Sequence, residues 1–270
     1  MLNRPEEIGI FKKDIPNLFE DFLSLVGTPP QGENVFKAQH RFYRMECFYI
    51  QNKDRDWGEI EIPDDLYKTV DEIAHFVVVL KNLITDAYKG KPAKCFLVSS
   101  MIDSYCAEAM ILSNYVRRGY MVQWLSILAI DPPDVVIYDP ANKINVDIEV
   151  KVKVELPSIK GVFASVNKGL DSLSRREAYR QSNPAIIAIH CPINLGWSKW
   201  LTDVDVQGRI QSRLENNKYS IVSGLIFSGG HDASKDEFGS TSFSTHLVGF
   251  RSHVAKNPLP FGLLTGSESI

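Results

Sequence analysis

The chain has 270 residues, 44% of them hydrophobic and 23% charged, with a formal net charge of −3. That balance suits a globular chain with a buried core and excludes a disordered or globally basic one, while leaving room for a local basic stripe. No run approaches the ~18 apolar residues of a membrane span, the charged start MLNRPEEIGIFKKDIP holds no signal-peptide core, and Cys47, Cys95, Cys106 and Cys191 show no CxxC spacing, so the expectation is a cytoplasmic protein with reduced thiols.

In chain order, residues 11–26 read as a short helix stopped at Gly27, and residues 28–32 as a loop. Residues 36–51 mix aromatic and basic side chains and lean to strand. Residues 64–89 place Leu66, Val70, Ile73, Val77, Leu80, Ile84 and Ala87 at helical spacing. Asp64 or Asp65 can cap that helix, and Gly90 with Pro92 ends it. Residues 102–118 form the next predicted helix, capped by Asp103 or Ser104, with Arg117 and Arg118 at its C-terminal end and Gly119 as its stop. A strand is predicted over 120–130 and a short one over 134–139. Asp139-Pro140-Ala141-Asn142-Lys143 is turn chemistry. Residues 144–156 then alternate. Val146, Ile148, Val150, Val152 and Val154 fall on one side; Asp147, Glu149, Lys151, Lys153 and Glu155 fall on the other. A helix over 162–181, a buried strand over 185–190, a helix over 204–217 and strands over 220–227 and 243–250 complete the chain, with a Gly/Ser/Asp loop at 228–242. From residue 101 this order makes an α/β protein with a central mixed β-sheet flanked by helices. Residues 1–100 read as a mainly helical N-terminal extension, and residues 101–270 as the α/β domain.

The hairpin over 134–156 brings Asp134 near Glu149 and Lys151. Two carboxylates and an ammonium on neighbouring strands can hold a divalent cation and activate water against a phosphodiester. The plainer reading is a surface acid at Asp134 and solvated ion pairs on an exposed strand face. Asp147 shares the Glu149 face, which offers it as an extra ligand, but it reads first as a surface acid. Glu108 lies on a stripe with Tyr105, Leu112 and Tyr115, where a carboxylate needs a partner. Between Lys151 and Gln181 the seven basic residues Lys151, Lys153, Lys160, Lys168, Arg175, Arg176 and Arg180 are opposed only by Glu155, Asp171 and Glu177. That excess can meet a phosphate backbone or simply solvate a helix face. The histidines form neither HxH nor HExxH, and no GxGxxG, GxSxG or phosphate-loop pattern follows a strand. Trp197 and Trp200, either side of Lys199, can stack on bases or pack.

Pro133-Asp134 before a turn, Glu149-Val150-Lys151 on the next strand and the preceding helix with Glu108 resemble the PD-(D/E)xK nucleases, over roughly residues 101–190. The resemblance implies a restriction-endonuclease-like core and a metal-dependent endonuclease that hydrolyses phosphodiester bonds, with DNA ahead of RNA as partner. It implies Mg²⁺ or Mn²⁺ held by Asp134, Glu149 and the Val150 carbonyl, with Glu108 binding a second metal or a metal-bound water. It makes Asp134, Glu149, Lys151 and Glu108 the catalytic set, with Lys151 orienting the attacking water. Lys153, Lys168, Arg175, Arg176 and Gln181 are the implied nucleic-acid contacts, and a homodimer fits cleavage of both strands. The alternative is a catalytically inactive nucleic-acid-binding or protein-interaction module on the same fold. A chance motif on an unrelated α/β protein is the third reading.

Overall fold

A computed structural model of the chain describes residues 6–10, 12–26, 41–83, 88, 101–128, 133–175, 182–191, 196–235, 241–260 and 262–264. The chain divides into two compact units. The first comprises Met1–Glu6, Arg117–His231 and Ser244–Ile270; the second comprises Glu7–Val116 and Asp232–Phe243. The helix that opens the sequence-defined domain at residue 101 therefore groups with the N-terminal helices.

The second unit begins with a short strand, β1 (Glu6–Ile10), holds four helices, α1 (Ile15–Val26), α2 (Arg41–Asn52), α3 (Asp64–Asn82) and α4 (Ile102–Arg117), and includes, within Asp232–Phe243, end residues of two later strands. Its core is aromatic. Phe22 of α1 stacks on Phe42 of α2 at 5.6 Å, and Phe42 meets the edge of Phe76 of α3 at 6.1 Å. Residues 36–51 lean to strand in the sequence, yet Arg41–Asn52 is helix. The buried positions Phe42, Met45, Glu46 and Asn52 follow helical spacing, and packing on α1 and α3 overrides the aromatic strand preference. The expected Asp cap of α3 is also absent: Pro63 holds the N-cap position without a side-chain bond, and Asp65 pairs with Arg44 instead. His75 is buried, as its place among apolar residues suggests, and bonds Ser113 Oγ across α3 and α4.

One cation ties three of these helices. Arg41 of α2 forks onto Glu72 of α3 at 2.6 and 3.0 Å. It also donates to Asp103 Oδ1 at 2.7 Å and Cys106 Sγ at 3.2 Å, both on α4. Glu72 is 2% exposed in its side chain, so the guanidinium is its counter-charge.

In the first unit, six strands lie in the order β7-β6-β5-β4-β3-β2. They are β2 (Met121–Trp124), β3 (Val135–Asp139), β4 (Ile144–Val152), β5 (Ala185–Cys191), β6 (Gly224–Lys235) and β7 (Thr241–Arg251). The sheet is mixed: β2–β3 and β3–β4 pair antiparallel, β4–β5 and β5–β6 parallel. The parallel steps require crossovers. These are α5 (Ile159–Ser174) for the first and α6 (Trp197–Leu201) with α7 (Val204–Leu214) for the second. Val162, Phe163 and Val166 of α5 share one core with Ile187, Ile189, Trp197 and Ile210. The predicted loop at 228–242 is mostly strand, because β6 runs to Lys235 and β7 starts at Thr241; residues 236–240 lie outside the described residues. Trp197 packs, 1% exposed, with its ring edge-on to Trp200. Cys47, Cys106 and Cys191 are free thiols, and no described helix is long and apolar enough to cross a membrane.

Arg41→Ala strands Glu72 without a counter-charge and should destabilise the protein by roughly 2–3 kcal/mol. Arg41→Lys restores the charge but not the fork, so it recovers only part of that loss. Urea unfolding of both variants measures this; an unchanged midpoint for Arg41→Ala would show the cluster contributes nothing.

Candidate active site

The β3–β4 hairpin builds the site, and its turn is made as the sequence suggests. Asp139 Oδ1 accepts from the Ala141 N–H at 2.9 Å, and Oδ2 accepts from Asn142 Nδ2 at 2.6 Å. Lys143 takes a left-handed φ of 55° to close it. This turn sets the register. Val135 pairs with Ile148, so Asp134, one residue before β3, stands opposite Glu149. Directly opposed residues of an antiparallel pair project to one face.

Asp134 is fixed from both of its ends. Its backbone carbonyl accepts from the N–H groups of Leu125 and Ser126 at 2.9 and 3.0 Å. Its Oδ2 accepts from the Val150 N–H at 2.7 Å, so the side chain continues the hairpin ladder where β3 has not yet begun. Beside it, Glu149 is 3% exposed. Lys151 Nζ donates to Glu149 Oε1 at 2.5 Å and to the Val150 carbonyl at 3.2 Å. Glu149 Oε2 is buried without a hydrogen-bond partner.

The charged face of β4 is therefore not the solvated face that the plainer sequence reading describes. Asp147 is fully buried, not a surface acid, and accepts from Asn183 Nδ2 at 3.0 Å. The reason is the neighbouring parallel strand and its crossover helix. Glu149 lies beside Ile187 of β5, and the Ile187 side chain fills the space over Gly169 of α5. Helix α5 thus covers the face that carries Asp134, Glu149 and Lys151.

Burial pushes the Asp134 carboxyl up to about 6, and the Glu149 carboxylate adds to the rise. The Val150 N–H and the Lys151 ammonium offset only part of it. Two acids that repel each other and one oxygen without a donor make a site short of positive charge. The donors fit Mg²⁺, which takes one or two carboxylates and keeps waters in its other positions. Among the described residues, no group of three or more His, Cys, Asp or Glu side chains could hold a metal, so protein carboxylates would supply only two oxygens' worth of ligands.

The other expected residues fall in different places. Glu108 is 3% exposed in the middle of α4, in the second unit, on a helix buried nearly all round. Lys153 is 7% exposed and bonds Glu155 at 2.7 Å. Lys168 is exposed on α5, and Arg175 caps the end of that helix, donating to the Asp171 carbonyl at 3.2 Å. Arg176 and Gln181 lie outside the described residues. His190 pairs beside Val152 and so points to the opposite face from Lys151, where its ring bonds Ser228. Two features had no sequence reading: the Asn183–Asp147 bond, and Asn167 of α5, whose Oδ1 is buried without a partner. An Asn just ahead of a buried strand was the available signal for the first.

Comparison with protein-family models, with curated proteins and with solved structures finds no match for this chain.

A raised carboxyl pKa adds stability below the ordinary carboxylate range and loses it as pH climbs through about 6. In EDTA, Asp134→Asn should therefore gain on the wild type as pH rises from 4.5 to 7.5, by on the order of 2 kcal/mol. Thermal unfolding of both proteins across that range reads it; a difference that stays flat would mean Asp134 titrates as an ordinary acid.

Proposed function

We propose that the chain is a Mg²⁺-dependent nuclease of the PD-(D/E)xK type that hydrolyses phosphodiester bonds in DNA. Glu149 carries this reading: a carboxylate 3% exposed, with one oxygen on Lys151 and the other without a partner, opposite a second carboxylate. Asp134 and Glu149 would hold the cation, with the Val150 carbonyl as a further oxygen. Bound there, Mg²⁺ supplies Lewis-acid polarisation of a phosphoryl oxygen and a more acidic water.

The chain's own groups do the rest. Lys151, tethered to Glu149 and half-open to solvent, holds the attacking water by a hydrogen bond and neutralises charge that builds on the phosphoryl oxygens. Asp134 must be ionised to hold the cation, and its raised carboxyl makes metal binding weaken as pH falls. Lys168 and its basic neighbours on and before α5 meet the phosphate backbone.

A second reading keeps the fold without catalysis, as a nucleic-acid-binding or protein-interaction module. The absence of a three-ligand metal group among the described residues favours it. Purified protein incubated with plasmid DNA, single-stranded DNA and RNA, in Mg²⁺, Mn²⁺ or EDTA, separates the two. We expect metal-dependent cutting that drops by about 10²-fold or more in Lys151→Ala and in Glu149→Gln, both still folded by circular dichroism. Binding without cutting selects the second reading, and cutting at full rate by Lys151→Ala would sink the nuclease assignment.

A further inference from the structure

Beyond the Glu149 face, β4 ends in a cleft of about 370 Å³ against the first turns of α5. Lys153, Glu155, Ser158, Lys160, Gly161 and Lys168 line it. Lys153 is the unusual member. Its side chain is 7% exposed, and its ammonium lies over Gly161, where an added Cβ would come within 2.9 Å of Nζ and 2.8 Å of Cε. The glycine leaves room for this ammonium and for the Ser158 hydroxyl that caps α5, whose Oγ lies 2.9 Å from the same point. A cation over the first turn of a helix faces the partial positive charge of the helix N-terminus, and Lys160 and Lys168 add two more. Such a grouping favours an anion in it.

That anion is Glu155. Its carboxylate accepts from Lys153 at 2.7 Å while 76% of its side chain faces solvent. The Lys153 ammonium first, and Lys168 after it, hold the Glu155 carboxyl below its ordinary range. The backbone beneath is anchored, since Trp197 Nε1 donates to the Glu155 carbonyl at 3.0 Å. The side chain is thus free to leave while the cleft wall stays. An ammonium has three donors, and among the described residues Glu155 is the one acceptor bonded to that of Lys153.

We propose that this cleft is a phosphate-binding subsite, in which Lys153 and Lys168 hold a phosphate group and the Glu155 carboxylate occupies its place until the phosphate enters. Lys153 lies two residues beyond Lys151, a step of roughly 6.6 Å along an extended strand. The Lys151 ammonium turns back to Glu149 and that of Lys153 forward to Glu155, so the cleft lies farther along than this step, and the phosphate is one of those flanking the scissile one. This last assignment rests on the nuclease reading; phosphate binding in the cleft does not.

The test is binding without cleavage. Anisotropy of a labelled DNA oligonucleotide with a 5′-hydroxyl end is measured in EDTA, with inorganic phosphate as competitor, on the full chain and on four variants. Glu155→Gln should tighten binding by more than Asp171→Asn, which removes an exposed acid from α5 outside the cleft. Lys168→Ala should weaken binding and lower the slope of log affinity against log salt by about one. Gly161→Ala sets the better helix propensity of alanine against pressure on the Ser158 cap, so it should leave the protein folded by circular dichroism. It should nonetheless weaken both oligonucleotide binding and phosphate competition, by displacing the ammonium. Equal effects of Glu155→Gln and Asp171→Asn, together with an unchanged Gly161→Ala, would overturn the subsite. If inorganic phosphate responds to the variants and the oligonucleotide does not, the assignment to a backbone phosphate is wrong. A failure of the nuclease reading looks different: Lys151→Ala still cuts, while these binding differences remain.

Discussion

A carboxylate on the middle strand of a covered sheet is expensive, because removing an unpaired charge from water costs several kcal/mol. Glu149 is such a group, and much around it can be understood as an answer to that cost. Lys151, two residues along the same strand, returns an ammonium to Glu149 Oε1. The Lys151 side chain is 23% exposed and that of Glu149 3%, so the pair is neither fully buried nor freely hydrated. Asp134 adds a second negative charge where electrostatics alone would place none, and the Val150 N–H, with the Lys151 ammonium after it, favours its carboxylate. The outcome is a local deficit of positive charge that the described residues leave uncorrected. Deficits of this kind mark sites more often than structural ion pairs, which satisfy both partners.

The sheet order explains why that deficit is possible. An antiparallel hairpin can leave one face in water, but β4 also pairs in parallel with β5. The parallel step forces the chain through α5, and α5 must lie on a face. It lies on the face carrying the acids, anchored through Val162, Phe163 and Val166 and closely approached at Gly169 by Ile187. The second unit meets the same physical problem differently. Glu72 is as deeply buried as Glu149, but Arg41 answers both of its oxygens with a planar fork. One buried acid is saturated by its cation and the other is not, which is the contrast between a structural ion pair and a candidate site.

Much of this was legible in the sequence, for reasons that can be named. The hairpin could be read because Asp139, Pro140 and Asn142 each favour reversal and because β4 alternates with period two. The α/β order could be read because helical and extended periodicities differ. What stayed hidden was burial. Alternation says that the two faces of β4 differ in polarity; it does not say that the polar one meets water. Asp147 looked like a surface acid for that reason, although it is fully buried against Asn183. Helix α2 was hidden because its aromatic residues suit a strand equally well, and only contact with α1 and α3 decides between them. The grouping of α4 with the N-terminal helices depends on tertiary contacts that no local pattern carries.

Lys151 and Lys153 show how little of a residue's role its type conveys. Both are lysines, two apart on the charged face of one strand, and each bonds a glutamate two positions away at similar distance. The difference lies in which partner is buried. Lys151 holds a glutamate that is 3% exposed and cannot leave, so its ammonium is fixed at the acids. Lys153 is itself the buried member, and its glutamate stands largely in solvent. An exposed carboxylate is rehydrated when it swings away, and a buried one is not. The first pair is therefore a permanent part of the site, whereas the second is exchangeable for any anion that brings more acceptors than one carboxylate. A phosphate does, and the space for it is already open beside the strand.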